Sequence, residues 1–137
     1  MFRWVAKLGM LKRVPLMPWL WDALMGIWNI AFHPAIAAAI DRIETQVTTW
    51  EGVTVTLHRY GGRQFNYHGR EIGHIHSNGL ADILLDRKTK QCLLLRGLVE
   101  NHHTFPDSGW VSIQMGTDRS EETIIALMDH RRKTITA

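Results

Sequence analysis

The hydrophobic pattern of this chain changes its period near Trp50, and this change constrains the fold more than any other feature. Before Trp50 the apolar residues recur at the spacing of one helical face, and after it they alternate with polar residues, as in a half-buried strand. A chain of 137 residues is long enough for one core but not for two. The two periods therefore predict one small domain that combines helices with a sheet.

Two helices are predicted before Trp50, over residues 18–32 and 34–48. Pro34 suits the first turn of the second helix, where its missing N–H has no helical partner. That helix carries a core-facing stripe at helical spacing, formed by Ile36, Ile40, Ile43 and Val47. We divide the chain into an apolar, tryptophan-rich N-terminal helical segment, residues 1–33, and an α+β domain, residues 34–137.

The N-terminal segment has three interpretations. Asp22 is the only Asp, Glu, Lys or Arg between positions 14 and 40, and four bases precede it: Arg3, Lys7, Lys12 and Arg13. Amphipathic helices could pack on the domain or on a second copy, or could lie on a membrane surface, which tryptophan and flanking bases suit. A spanning or cleaved segment is the third interpretation, but Asp22 and several prolines oppose it.

The pattern after Trp50 predicts an antiparallel sheet of about five strands with helices packed on one face. The predicted strands span residues 53–58, 64–67, 71–76, 80–85 and 110–115, and the predicted helices span residues 87–96 and a segment from Asp118 or Ser120 onward. Glycine-containing turns separate the first four strands, and such short connections join antiparallel neighbours. Asp118 and Glu121 have capping-box spacing. The fold class is therefore α+β.

Charge and cysteine content exclude several functions. A formal net charge of +3 with scattered bases does not predict a nucleic-acid partner. A single cysteine, Cys92, excludes an intrachain disulfide and a CxxC zinc site. Because Cys92 lies in an apolar stretch, we predict that it is a core residue. We expect a cytoplasmic protein, with peripheral association to a membrane as an alternative.

The strand predicted over residues 71–76 contains the sharpest chemical feature, an HxH pair. His74 and His76 point to the same face of a strand, while Ile75 points into the core. Two adjacent imidazoles are not both protonated cheaply, so at least one stays neutral near pH 7. A neutral imidazole is both a base and a metal ligand. The alternative is two ordinary surface histidines, or one histidine hydrogen-bonded within the sheet.

A second pair, His102 and His103, lies in the loop before Trp110, and antiparallel topology can bring that loop over the HxH strand. Asp82 alternates with core residues on the neighbouring strand. It can therefore accept the second N–H of a histidine, supply a carboxylate ligand, or be a solvated acid. We predict one shared site, with His74, His76, His103 and Asp82 as catalytic residues and with His102 and Trp110 against a small-molecule ligand.

Two further charged residues lie near this site in the sequence. Glu71 alternates out of phase with the histidines, so we predict that it is a structural partner of Arg63 or Arg70, with a catalytic base as the alternative. Arg59 precedes a glycine turn, where it can hold an anion or be surface charge. Both are kept as candidate ligand-binding residues.

Two segments resemble the luciferase-domain family. They are E-I-G-H-I-H-S-N-G-L-A-D, residues 71–82, and H-H-T-F-P-D-S-G-W-V-S, residues 102–112, and an acidic helix follows them. The family includes many small bacterial proteins of unknown function and, as a distant and longer member, the luciferase of bioluminescent fungi. The resemblance covers about residues 40–128.

The resemblance implies a function. The fungal enzyme adds molecular oxygen to a hydroxylated pyrone without a separate organic cofactor, and its matching segment falls on Glu71, Ile72, His74 and His76. Its later histidine-proline loop falls loosely on His103, Pro106 and Trp110. By that likeness, this chain would be a cofactor-independent oxygenase or monooxygenase that acts on an enolisable aromatic or lactone substrate, with oxygen as co-substrate.

Three functional hypotheses follow from these residues. The first is the luciferase-like enzyme with a histidine-lined small-molecule pocket. The second is a zinc or iron site held by His74, His76 and a third ligand from Asp82 or His103. The third is a non-enzymatic module that binds a membrane surface or a second copy through the N-terminal segment.

Overall fold

The computed structural model describes residues 16–116 and 118–136, with the side chains of Asp118, Arg119 and Thr136 left out. The predicted cap at Asp118 and the four N-terminal bases therefore lie outside the described part. The elements are α1 (Met17–Phe32), α2 (Pro34–Val47), β1 (Val53–Leu57), β2 (Arg63–Tyr67), β3 (Arg70–Ile75), β4 (Leu80–Leu84), α3 (Arg87–Leu95), β5 (Glu100–Asn101), β6 (Trp110–Gln114) and α4 (Asp118–Thr136). The described helices and strands confirm the predicted α+β class.

The strands form one sheet in the order β1-β2-β3-β4-β6-β5, and every neighbouring pair is antiparallel. The apolar strand β4 lies inside the sheet and pairs with β3 along one edge and with β6 along the other. The sixth strand, β5, has only two residues and pairs with the outer edge of β6. Two residues are too few to produce an alternating pattern, so the sequence predicted a loop there.

The core lies between one face of the sheet and the helices α2 and α4. Ile43 and Val47 of α2 and Met128 of α4 are fully buried, as the helical stripe predicted for α2. The sheet contributes its own buried side chains: Phe65, Ile72, Ile75, Ala81, Ile83 and Val111. The opposite face of the sheet therefore remains free to carry polar side chains.

The prediction that Cys92 lies in the core is wrong, because Cys92 is exposed on α3. Lys90 is the buried residue of this helix. Its ammonium group donates to the backbone carbonyls of Pro106, Ser108 and Trp110, so α3 turns the lysine inward. The apolar composition around Cys92 gave no sign of this, since a buried lysine is rare.

Helix α3 provides a stability prediction at its N-cap. The Asp86 carboxylate accepts from the Thr89 backbone N–H at 2.9 Å and from the Thr89 hydroxyl at 2.5 Å. We expect Asp86→Ala to lower the free energy of unfolding by about 1 kcal/mol at pH 7, and Asp86→Asn, which keeps the cap, to lower it much less. Urea denaturation of the three proteins checks this.

The same cap has a defined pH dependence. The bonds from Thr89 lower the pKa of Asp86 from 3.8 to about 2. A depressed pKa stabilises the fold above the unfolded value, so the stabilisation by Asp86 is lost as the pH falls from about 4 towards 2. The difference between wild type and Asp86→Ala should therefore shrink at pH 3. A difference that stays constant down to pH 3 would contradict the role of the ionised carboxylate.

Candidate functional site

A row of polar residues crosses the sheet on the face opposite the core. The register pairs Gln64 with His74, His74 with Asp82, and Asp82 with Ser112. Directly paired residues project to the same face. The row therefore places His74 and Asp82 side by side in the middle of the sheet, as the alternation predicted.

Asp82 is the centre of this row. Its side chain is fully buried, and its Oδ1 accepts a short hydrogen bond from the Ser112 hydroxyl. Its Oδ2 lies 3.3 Å from Nε2 of His74, 3.6 Å from Nε2 of His76 and 3.7 Å from Nε2 of His102. Within the described residues, none of these groups meets Oδ2 in hydrogen-bond geometry. The structure thus brings three of the predicted histidines to one carboxylate oxygen.

Glu71 joins the cluster, although its alternation was predicted to be opposite to that of the histidines. The register of β2 and β3 shifts between Phe65, which pairs with Gly73, and Asn66, which pairs with Glu71. One extra residue of β3, Ile72, is accommodated there as a bulge. The bulge returns Glu71 to the face of the histidines, where its Oε1 lies 2.6 Å from Nδ1 of His74. The predicted pairing of Glu71 with Arg63 or Arg70 is therefore replaced by a contact with His74.

His74 lies between two carboxylates, Glu71 at Nδ1 and Asp82 at Nε2. Burial alone would lower its pKa, but the interactions with Asp82 and Glu71 outweigh burial and raise the pKa to about 9. The pKa of Asp82 is held well below its usual range, because its contacts with His74, His76 and Ser112 outweigh its burial. These two groups are therefore an ion pair near neutral pH, with the positive charge on His74.

His58 is a member of the cluster that the sequence did not identify. It follows β1 and is buried, with its ring stacked on that of His74 at a centroid distance of 3.8 Å. Burial and the adjacent His74 lower its pKa to about 4, so His58 is neutral at pH 7. The alternation of apolar and polar residues over 53–58 places His58 on the same face as Thr54 and Thr56. Its contact with His74 depends on the pairing of three strands, which local sequence does not show.

The two loop histidines have different environments. Nδ1 of His102 accepts from the backbone N–H groups of Thr104 and Phe105, at 3.1 and 3.2 Å. Burial lowers the pKa of His102, so its neutral ring carries the remaining proton on Nε2, which faces Asp82. His103 is exposed and stacks on the outer side of His102 at 4.7 Å. The structure therefore brings His102, but not His103, to Asp82.

Trp110 forms one wall of the cluster, with its ring centroid 5.4 Å from that of His74 and 6.2 Å from that of His102. Lys90 fixes the segment that ends at Trp110, because its Nζ donates to the carbonyls of Pro106, Ser108 and Trp110 at 2.6, 2.7 and 3.1 Å. Lys90 was not predicted to be part of the site region. Its long-range carbonyl contacts have no signature in the sequence.

Arg59 lies apart from the cluster. It is exposed, and its guanidinium stacks over the ring of Tyr60 at 4.7 Å. This contact agrees with the surface-charge alternative stated for Arg59.

Among the described residues, three histidines of the cluster have the spacing of metal ligands. His58, His74 and His76 each place one ring nitrogen within 4.8 Å of the others. Neutral imidazole nitrogens are good ligands for zinc, iron and copper. Oδ2 of Asp82 is a fourth candidate donor, since it already lies near two of these rings.

A family model described as the luciferase domain matches residues 69–130. The match begins just before β3 and ends within α4, and it contains Glu71, His74, His76, Asp82 and His102. No curated protein and no solved structure matches the chain. The match confirms the resemblance found in the two histidine-containing segments. The similarity of this chain to the luciferase-domain family therefore covers residues 69–130.

Proposed function

We propose that the histidine cluster binds a divalent transition-metal ion, zinc or iron, through His74, His76 and Asp82. The proposal rests on the environment of one atom, Oδ2 of Asp82. This carboxylate oxygen is fully buried, has no hydrogen-bond donor among the described residues, and faces two imidazole nitrogens at 3.3 and 3.6 Å. The ion pair with His74 leaves this buried oxygen without a hydrogen bond, which is costly. A metal ion that replaces the Nε2 proton of His74 would bind this oxygen directly and remove that cost.

The distances suit a shared ion. Metal bonds of about 2.1 Å to nitrogen and oxygen place two ligands of a tetrahedral ion about 3.4 Å apart. The separations of 3.3 and 3.6 Å from Oδ2 of Asp82 to the rings of His74 and His76 are close to this value. The rings also pack tightly, with centroids of His74 and His76 5.0 Å apart. Such a space fits an ion better than an organic molecule.

The outer contacts of these ligands support the same proposal. A metal-binding histidine usually donates its other ring N–H to a carboxylate, which fixes the ring and its tautomer. Glu71 provides this carboxylate at Nδ1 of His74, which leaves Nε2 for the ion. Ser112 holds the other oxygen of Asp82. Two of the three proposed ligands are therefore already oriented by neighbouring side chains.

The remaining histidines have separate roles in this proposal. His58 lies within 4.8 Å of the ring nitrogens of His74 and His76, but its Nδ1 accepts from the backbone N–H of Tyr60 at 3.4 Å, so it packs on His74 and leaves the fourth position of the ion open. His102 is not a ligand, because its Nδ1 accepts two backbone N–H groups and its Nε2 therefore keeps a proton. His102 instead donates towards Asp82 or towards a bound substrate. The side chain of His76 is 21% exposed and provides the access from solvent.

A bound ion would give the site a defined chemistry. Zinc with an open position activates water for hydrolysis, and ferrous iron held by two histidines and one carboxylate activates oxygen. The iron alternative agrees with the oxygen chemistry that the family resemblance implies. Trp110 would cover the cluster from one side and limit access of water.

A metal-free acid–base site is the second candidate function. His76 is the most accessible imidazole at Asp82, and its Nε2 lies 3.6 Å from that carboxylate. In this mechanism His76 accepts the proton of an enol, and Asp82 stabilises the imidazolium that forms. The enolate then forms a carbon–oxygen bond with molecular oxygen, and return of the proton gives a hydroperoxide. The substrate would be an enolisable aromatic compound or lactone.

Elemental analysis of the untagged full chain tests the metal proposal. We expect near-stoichiometric zinc or iron in the wild type and in His33→Gln, which changes an exposed histidine outside the cluster. We expect His74→Ala and His76→Gln to retain at most about one tenth of the metal that the wild type binds. Circular dichroism of each variant checks that the fold is retained.

Substoichiometric metal that dialysis removes equally from all four proteins would exclude the metal site. The second candidate then predicts oxygen consumption with a simple hydroxypyrone as the probe, measured with an oxygen electrode. That consumption should be lost in His76→Gln and kept in His33→Gln.

A further inference from the structure

We infer that α1 is a membrane-interface helix that lies in the surface of a bilayer containing anionic lipids. Leu16 and eight large apolar side chains of α1 are between 39% and 68% exposed. The eight are Trp19, Leu20, Trp21, Leu24, Ile27, Trp28, Ile30 and Phe32. An exposed apolar surface of this extent marks an interaction site.

The polarity of α1 is reversed relative to an ordinary surface helix. A surface helix buries its apolar stripe and exposes its polar residues. In α1 the only buried residue is Asn29, whose side chain donates to the carbonyl of Ser77. Asp22, the only charged residue of the helix, accepts from the backbone N–H and the hydroxyl of Ser77 at 2.9 and 2.8 Å. The polar groups thus hold α1 on the domain, and the apolar side chains face outward.

The outward face can leave water without burying an unpaired charge. Asp22 already has its partners within the domain, and the indole N–H of Trp19 donates to the carbonyl of His58 at 3.1 Å. Entry into an apolar phase therefore requires no new polar contacts for these groups. Tryptophan is enriched at the boundary between lipid and water, where its amphipathic ring is stable. The composition of the outward face fits this boundary.

The charges next to α1 in the sequence favour an anionic lipid surface over a second copy of the chain. Residues 1–15 contain Arg3, Lys7, Lys12 and Arg13 and no acidic residue. Bases beside an apolar helix attract anionic lipid headgroups. A second copy of the chain would add four more bases from residues 1–15 and no acidic residue from that segment to pair with them.

The geometry places α1 in the membrane surface and not across the bilayer. No single helix in the described part of the chain is long and apolar enough to span, and α1 and α2 meet at a bend of 114°. At about 1.5 Å per residue, the 16 residues of α1 extend only about 24 Å, less than the roughly 30 Å of a bilayer core. The apolar side of α2 is already buried in the protein core. It is therefore not available to complete a span.

Vesicle co-sedimentation of the full chain tests this inference, independently of the metal proposal. The probes are phosphatidylcholine vesicles with and without phosphatidylglycerol. Trp21→Glu and Ile27→Glu each place a charge on the outward face, and Leu95→Glu places the same charge on α3, at a residue that is 90% exposed. We expect the two α1 variants to bind the anionic vesicles at least about tenfold more weakly than the wild type, and Leu95→Glu to bind like the wild type. Added salt should weaken wild-type binding.

Two results would overturn the inference. The first is equal vesicle binding by the wild type and the two α1 variants. The second is no vesicle binding by a wild-type dimer that Trp21→Glu and Ile27→Glu convert to monomers, which would assign the face to a second copy. Gel filtration beside the sedimentation assay distinguishes these cases.

Discussion

Replacing Asp82 with asparagine is expected to lower the free energy of unfolding of the metal-free protein by about 3–5 kcal/mol at pH 7. The asparagine side chain would keep the volume of the aspartate and its contact with Ser112. It would not keep the negative charge that faces His74 in a fully buried position. Breaking a buried ion pair leaves the other charge uncompensated, and this is the source of the large effect. Urea denaturation in the presence of a chelator measures the change.

The matched control is Asp41→Asn. Asp41 forms an ion pair with Arg63 at 2.8 Å, but its side chain is largely exposed. An exposed pair contributes at most about 1 kcal/mol, because water already stabilises both charges. If the two substitutions cost the same, the carboxylate of Asp82 does not stabilise a buried positive charge. Asp82→Asn should also lower the bound metal, since it removes the only carboxylate among the proposed ligands.

Much of the site follows from alternation within single strands. The HxH pair projects His74 and His76 from one face of β3, and alternation in β4 places Asp82 on that same face once the two strands pair. The turn between the strands is short, so the register had few alternatives. The helix bounds were also predictable, because Pro34 begins α2 and the residues that α2 buries follow the helical spacing. Local periodicity and turn length were sufficient for these features.

Other parts of the site depend on long-range packing. Glu71 reaches His74 only because a bulge adds one residue to β3 opposite Phe65 and Asn66. His58 reaches His74 across the intervening strand β2. Neither the bulge nor the approach of β1 changes the local sequence pattern. The sequence therefore predicted the central carboxylate, the HxH pair and the loop residues His102 and Trp110, but not the contacts that Glu71 and His58 make with His74.

The inferred membrane helix and the histidine cluster share structural supports. Trp19 of α1 donates to the carbonyl of His58, and Asp22 binds Ser77, the residue after His76. Two histidines of the cluster, His58 and His76, thus lie at or beside positions that α1 contacts. A membrane at α1 would place the cluster close to the lipid surface, where apolar substrates concentrate. Under this inference, α1 would be part of the functional unit and not only a packing element.

Lys90 holds the segment that leads to Trp110, the wall of the cluster. Its replacement by methionine is expected to lower the free energy of unfolding by about 3 kcal/mol. Methionine keeps most of the apolar stem but removes the three donors to the carbonyls of Pro106, Ser108 and Trp110. Bonds from a charged donor are stronger than neutral ones, and acceptors left without partners away from water add to the cost. Urea denaturation measures the change in stability.

Lys88→Met is the matched control for Lys90, because Lys88 lies on the same helix and is exposed. Its replacement should change stability by less than about 0.5 kcal/mol. Lys90→Met should also loosen the segment from His102 to Trp110, since Lys90 joins this segment to α3 by its side chain. Proteolysis after Phe105, an exposed residue of that segment, would then become faster in Lys90→Met than in Lys88→Met. Equal stability and equal cleavage rates in the two variants would show that the carbonyls do not depend on Lys90, and the wall formed by Trp110 would need another support.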